Sequence, residues 1–136
     1  MIQVIAGDKG SGKTKKMISL ANECVTDSKG HVIFLSNTSE AMYELNSSIR
    51  LINTSEFPIS SVDSLVGFIY GIISEDYDVE YAYIDNINCI GKEESIMLKF
   101  VESLKAISEK YKIKFVLGVK AEKRILPNLE IEYIAV

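Results

Sequence analysis

Eight residues near the N-terminus, Gly7-Asp8-Lys9-Gly10-Ser11-Gly12-Lys13-Thr14, restrict the fold more than any other part of the chain. They fit the pattern G-x-x-x-x-G-K-[ST]. Glycines at these positions let the backbone turn tightly, so that successive N–H groups converge on an anion. The lysine and the hydroxyl after the last glycine add a positive charge and an oxygen donor suited to a hard divalent cation. With Gly at about 7% of residues, a chain of this length shows the pattern by chance roughly once in a few hundred. The pattern carries its chemistry only between a strand and a helix, and the flanking residues predict both. Ile2-Gln3-Val4-Ile5-Ala6 is an apolar run suited to a buried parallel strand. Met17, Ala21, Cys24 and Val25 fall on one helical face, with Gly30 placed to end the helix.

Strand-like and helix-like segments alternate through the rest of the chain. Residues 31–36, 80–85, 113–119 and 130–136 read as further strands, and Arg50-Leu51-Ile52 as a short one. A short helix is predicted over residues 37–46, with Asn37 as its cap and Glu40 three residues on. Asp63 is positioned to cap an apolar helix over residues 64–74. The clearest helix carries Met97, Phe100, Val101, Leu104, Ile107 and Tyr111 at three- and four-residue spacing, with Glu93 and Glu94 in its first turn. This alternation predicts an α/β fold: a mostly parallel five-stranded sheet with helices on both faces, a three-layer sandwich. Right-handed crossovers then bring all the strand C-termini to one edge, where ligands bind. The connection over residues 120–129 is short for a crossover helix. The last strand is therefore open to either direction, with parallel favoured.

At 136 residues the chain suits one domain spanning 1–136, and its 47% apolar content supplies a full core without metal or disulfides. Cys24 and Cys89 are far apart in sequence and read as reduced core residues of a cytoplasmic protein. No signal peptide is read at the N-terminus, and the longest apolar run, residues 65–73, is too short to span a bilayer. The formal charge of −4 argues against general nucleic-acid binding, which depends on Lys and Arg neutralising phosphates.

A phosphate-binding loop alone gives binding; chemistry or switching needs a carboxylate near the metal. Asp85 closes the apolar strand Glu80-Tyr81-Ala82-Tyr83-Ile84, the Walker B pattern, at the edge shared with the loop. The Asp85-Asn86 pair also suits a plain turn. With these residues the chain resembles the P-loop NTPases, and among them the RecA-like, additional-strand division. In that division another strand separates the Walker A and Walker B strands in sequence, here residues 31–36. The resemblance implies ATP or ADP contacted by Gly7 to Thr14, Lys13 on the β- and γ-phosphates, and Mg²⁺ held by Thr14 and Asp85.

Two departures bear on activity. Where many members carry a water-polarising Glu after the Walker B Asp, this chain has Asn86. RecA-type members place that Glu after the strand corresponding to residues 31–36, where Asn37-Thr38-Ser39 precedes Glu40. Glu40 is thus a candidate water activator with a competing place in a helix cap. Lys120, Lys123 and Arg124 follow the fourth main strand, where family members can donate a cation to a neighbouring subunit. The expectation is an Mg²⁺-dependent ATP-binding protein, an ATPase that is weak or needs self-association or a protein partner. The alternatives are a non-hydrolysing nucleotide switch and a nucleoside or small-molecule kinase. The kinase is disfavoured because the chain has only two arginines, Arg50 and Arg124. A GTPase is disfavoured because Asn88 occupies the glycine position of Asp-x-x-Gly.

Overall fold

The computed structural model describes residues 1–7, 12–86, 94–119 and 132–135. Its centre is a six-stranded sheet: β1 (Ile2–Ala6), β2 (His31–Ser36), β3 (Arg50–Asn53), β4 (Val79–Ile84), β5 (Lys114–Val119) and β6 (Glu132–Ala135). The spatial order is β3-β2-β4-β5-β1-β6, and every neighbouring pair is parallel. Helices α1 (Lys13–Asp27), α2 (Val62–Glu75) and α3 (Glu94–Tyr111) alternate with the strands. The expected α/β sandwich with a parallel sheet is present. To the five strands counted in the sequence it adds the short Arg50–Asn53 segment as one edge. The last strand is parallel and pairs with β1, not with β5.

Side-chain alternation sorts the core into two halves. Val4, Ala6, Ile33, Leu35, Ala82, Ile84, Phe115 and Leu117 pack with Leu65 and Ile69 of α2 and Phe100 and Leu104 of α3. Ile5, Val32, Phe34, Tyr83 and Val116 point the other way, against Met17, Ile18 and Ala21 of α1. Both faces are covered, which is why the strands read as nearly continuous apolar runs. Phe34, Phe100 and Phe115 are fully buried, each contributing about 1.5–3 kcal/mol. No helix among the described residues is long and apolar enough to cross a membrane.

Several local expectations give way to other polar groups. Helix α2 is capped by Ser61, not Asp63: Ser61 and Ser64 exchange hydrogen bonds in a capping box. Asp63 lies in the first turn and pairs with Lys99 at 3.2 Å. The Asn37 cap does not form. The Ser36 and Thr38 hydroxyls accept from the Thr38 and Glu40 N–H groups, and a 3-10 helix over Glu40–Tyr43 starts only after Ser39. Gly30 does not terminate α1, whose cap is the extended Ser28. Its small size is needed for close approach: a Cβ there would strike the Asp78 carbonyl, and its N–H donates to Glu80 Oε2 at 2.7 Å. Cys24 is half-buried beside the core, and Cys89 lies outside the described residues.

At the N-terminal ends of the strands, His31 Nδ1 lies 2.6 Å from Asp76 Oδ2, tying the start of β2 to the C-cap of α2. The hydrogen bond and charge of Asp76 push the His31 pKa above its ordinary 6.5. Burial works to raise Asp76, but the bonds from His31 and the Asp78 N–H outweigh it and hold it below 3.8. The His31 contribution is therefore full below pH 6.5 and fades as pH rises through its folded pKa. The Asp76 contribution is present above 3.8 and fades as pH falls. His31 is the only histidine in the chain, so an NMR titration reads it without overlap. The midpoint should lie above 6.5, and Asp76→Asn should bring it back down. A wild-type midpoint at or below 6.5 contradicts this linkage.

Candidate functional site

The site is built where β1 passes into α1. The Gly7 N–H donates to Val119 O at 3.2 Å, carrying the β1–β5 pairing to the start of the glycine loop. Asp8, Lys9, Gly10 and Ser11 lie outside the described residues. Gly12 enters α1 with φ of 91°, a left-handed conformation that side chains resist. No side chain caps this helix, and its first turn holds Lys13, Thr14, Lys15 and Lys16 with no acid. Positive charges at the positive end of a helix dipole oppose one another unless an anion joins them. Helix α2, by contrast, starts with a capping box and Asp63.

Asp85 lies immediately after β4, and its N–H donates to Leu35 O at 2.8 Å. It continues the alternation that turns Tyr83 toward α1. The Thr14 hydroxyl donates to Asp85 Oδ2 at 2.7 Å. Two residues far apart in sequence therefore meet on the α1 side of the sheet, although β5 stands between β1 and β4. Gly118 makes the meeting possible. The register pairs Ile84 with Leu117, which sets Gly118 beside Asp85. A Cβ at Gly118 would lie 2.6 Å from Asp85 Oδ1 and 2.5 Å from Met17 Sδ. In the sequence Gly118 falls within the strand predicted over residues 113–119. A glycine inside a mostly apolar strand was the available signal.

Asp85 is 1% exposed, so it is enclosed and not merely a strand terminus in contact with water. Burial raises its pKa, and the Thr14 hydrogen bond, the Asn86 N–H and the charge of Lys13 counter that shift only in part. Its Oδ1 is buried and accepts no hydrogen bond from the described residues. A buried carboxylate oxygen in that state suits a cation. Asn86 has φ of 53°, the left-handed region in which Asn is among the better-tolerated residues. Asn86 thus has a conformational reason to be there, and Asp85 has the contact with Thr14.

The remaining candidates are dispersed. Glu40 is exposed at the start of the 3-10 helix after β2. Strand β2 stands three places from β1, about 14 Å at ordinary strand spacing. No hydrogen bond among the described residues joins Glu40 to Thr14 or Asp85. Lys120, Lys123, Arg124 and Glu93 lie outside the described residues. Arg50 begins the edge strand β3, at the end of the sheet opposite the site. No protein-family model matches the sequence, and a search of curated proteins finds no significant match.

Two measurements probe this geometry. Gly118→Ala should cost about 1–3 kcal/mol of stability in urea denaturation, as overpacking does. Asp85→Ala should recover part of that loss in the double variant; strict additivity of the two changes would show that they do not touch. Because the folded pKa of Asp85 is raised, its stabilising share is present below its unfolded pKa and lost as pH rises through the folded one. Asp85→Asn should therefore raise the melting temperature at neutral pH without divalent cations, and the gain should shrink toward pH 4. A lower melting temperature at neutral pH would contradict the burial cost.

Proposed function

We propose that the chain is a P-loop nucleotide-binding protein of the RecA-like type, which binds ATP with Mg²⁺ and hydrolyses the β–γ bond weakly or only with a partner. The observation that carries this reading is the Thr14–Asp85 contact, with a buried Asp85 Oδ1 that accepts no hydrogen bond among the described residues. The sequence motif at Gly7 to Thr14 and the Asp85 strand end were recognised separately, and the fold brings their described members together. The donor set fits the metal: a hydroxyl and a carboxylate are the hard oxygen ligands that Mg²⁺ takes alongside substrate phosphates. Thr14 and Asp85 would hold it, and when bound it would neutralise charge on the phosphates. Lys13 and the acid-free start of α1 would face the same anion.

The groups that would activate water are where this reading predicts weakness. Asn86 carries an amide, which cannot accept a proton as a carboxylate does, and its left-handed backbone gives that residue a conformational reason to be there. Glu40 sits exposed beyond β2, which pairs with the Asp85 strand, and no hydrogen bond among the described residues joins it to Thr14 or Asp85. Arg50 is at the wrong end of the sheet to reach a transferred phosphoryl group, which leaves Arg124 as the chain's other arginine. These features favour a nucleotide-dependent switch as the second reading, and they weaken the kinase reading further. The composition supports a cytoplasmic setting.

Calorimetric titration with ATP and Mg²⁺ tests the proposal. Lys13→Ala should weaken binding by about 1.5–3 kcal/mol, the value of a charge-assisted contact. Steady-state turnover of the isolated protein should fall well below the roughly 10 s⁻¹ of a median enzyme. Absence of heat with ATP, ADP and GTP at millimolar concentration would sink the nucleotide reading. Brisk turnover by a confirmed monomer, lost in Lys13→Ala but unchanged in Glu40→Gln and Arg124→Ala, would keep the ATPase and overturn the account of its missing groups.

A further inference from the structure

Among the described residues, the outer edge of β3 is one of the two open edges of the sheet. It is a terminal strand with β2 on one side and no strand partner among the described residues on the other. A groove of about 480 Å³ runs along it, floored by all four β3 residues and walled by Phe57, Phe68, Gly71 and Ile72. Phe57 is 44% exposed and packs against Phe68 with the rings tilted by 47° and 5.0 Å between their centres. Gly71 faces open space: a Cβ there would meet nothing within 4 Å. Open strand edges template further pairing, and proteins that stay monomeric usually blunt them with charge, proline or a cover.

The charges at this edge are arranged for a partner. Arg50 stands at the start of β3, and Glu56 lies just past its end; Glu75 closes the groove from α2. None of the three makes an ion pair among the described residues. Opposite signs at opposite ends of a short strand are self-complementary under a two-fold rotation. If β3 pairs antiparallel with the β3 of a second copy about an axis between Leu51 and Ile52, Arg50 falls opposite Asn53 of that copy. Glu56 of the second copy then follows within reach of the Arg50 guanidinium. The symmetric relation repeats the pair on the other side of the axis. Such an isologous contact closes on itself and leaves no free edge at β3.

We infer that β3 is a self-association edge at which two copies join their sheets antiparallel, clamped by reciprocal Arg50–Glu56 pairs and covering the Phe57–Phe68 groove. A parallel arrangement would set Arg50 beside Arg50, which the charges oppose. The inference is independent of nucleotide, because β3 and the groove share no residue with Lys13, Thr14 or Asp85.

Sedimentation velocity over micromolar to submillimolar protein tests it. The wild type should show a reversible monomer–dimer equilibrium. Arg50→Glu and Glu56→Arg should each weaken the dimer several-fold, and the double variant, which swaps the charges, should restore it. Gly71→Arg should yield a monomer by filling the groove. Its melting temperature should not fall, since the position is open and arginine favours a helix over glycine. A wild type that stays monomeric throughout overturns the inference. So does a dimer indifferent to Arg50, Glu56 and Gly71, which would place the contact elsewhere.

Discussion

A single hydrogen bond organises the candidate site: the Thr14 hydroxyl on the Asp85 carboxylate, across a strand that belongs to neither. Its existence depends on three separate pieces of the chain. Gly12 must take a left-handed turn so that α1 starts with Thr14 facing the sheet. Asp85 must follow β4 in the alternation that points it toward α1. Gly118 must lack a side chain so that the carboxylate has room above β5. The surrounding core is ordinary in kind, two apolar layers against a parallel sheet, and its role is to keep these three backbone positions in register.

The same geometry sets an internal conflict. A carboxylate oxygen enclosed without a hydrogen bond among the described residues costs stability, and so does a helix whose first turn holds three lysines and no acid. The charge of Lys13 and the bonds from Thr14 and Asn86 relieve the burial of Asp85 only in part. Each cost would be relieved by a ligand of opposite charge: a cation against Asp85, an anion against the start of α1. Magnesium and a polyphosphate together answer both, which is a stronger argument than either alone. Local rules broken without internal compensation tend to mark functional places.

Much of this was legible in the sequence. The phosphate-loop pattern, the apolar strands and the terminal Asp85 predicted the layer structure and the edge on which the site forms. What escaped was settled by neighbours, not by local pattern. Ser61 displaced Asp63 as a cap because a second serine three residues on returned its hydrogen bond. Gly30 looked like a helix terminator until the Asp78 carbonyl and Glu80 crowded it. Gly118 could be flagged as a glycine inside a strand, but what it makes room for could not, because strand order cannot be read from segment order: nothing in the residues says that β5 lies between β1 and β4. Glu40 shows a different limit: its strand, β2, lies beside the Asp85 strand β4 but three places from β1, and segment order alone gives neither distance.

The insertion of β5 between β1 and β4 also has a meaning for how the molecule comes into being. A chain growing from its N-terminus holds every motif residue of the proposed site once Asp85 has been made. It still lacks the strand that spaces β1 from β4 and the glycine that lets Asp85 lean across. Until Val119 is available, the two halves have no scaffold to hold them at the right separation. The Thr14–Asp85 geometry therefore arrives late in synthesis, together with closure of the sheet, and any ligand that needs it would find no site earlier. Non-local pairings of this kind form slowly because loop entropy must be overcome before contacts compensate it. A ligand that recognises only the closed sheet would act as a check on completed folding.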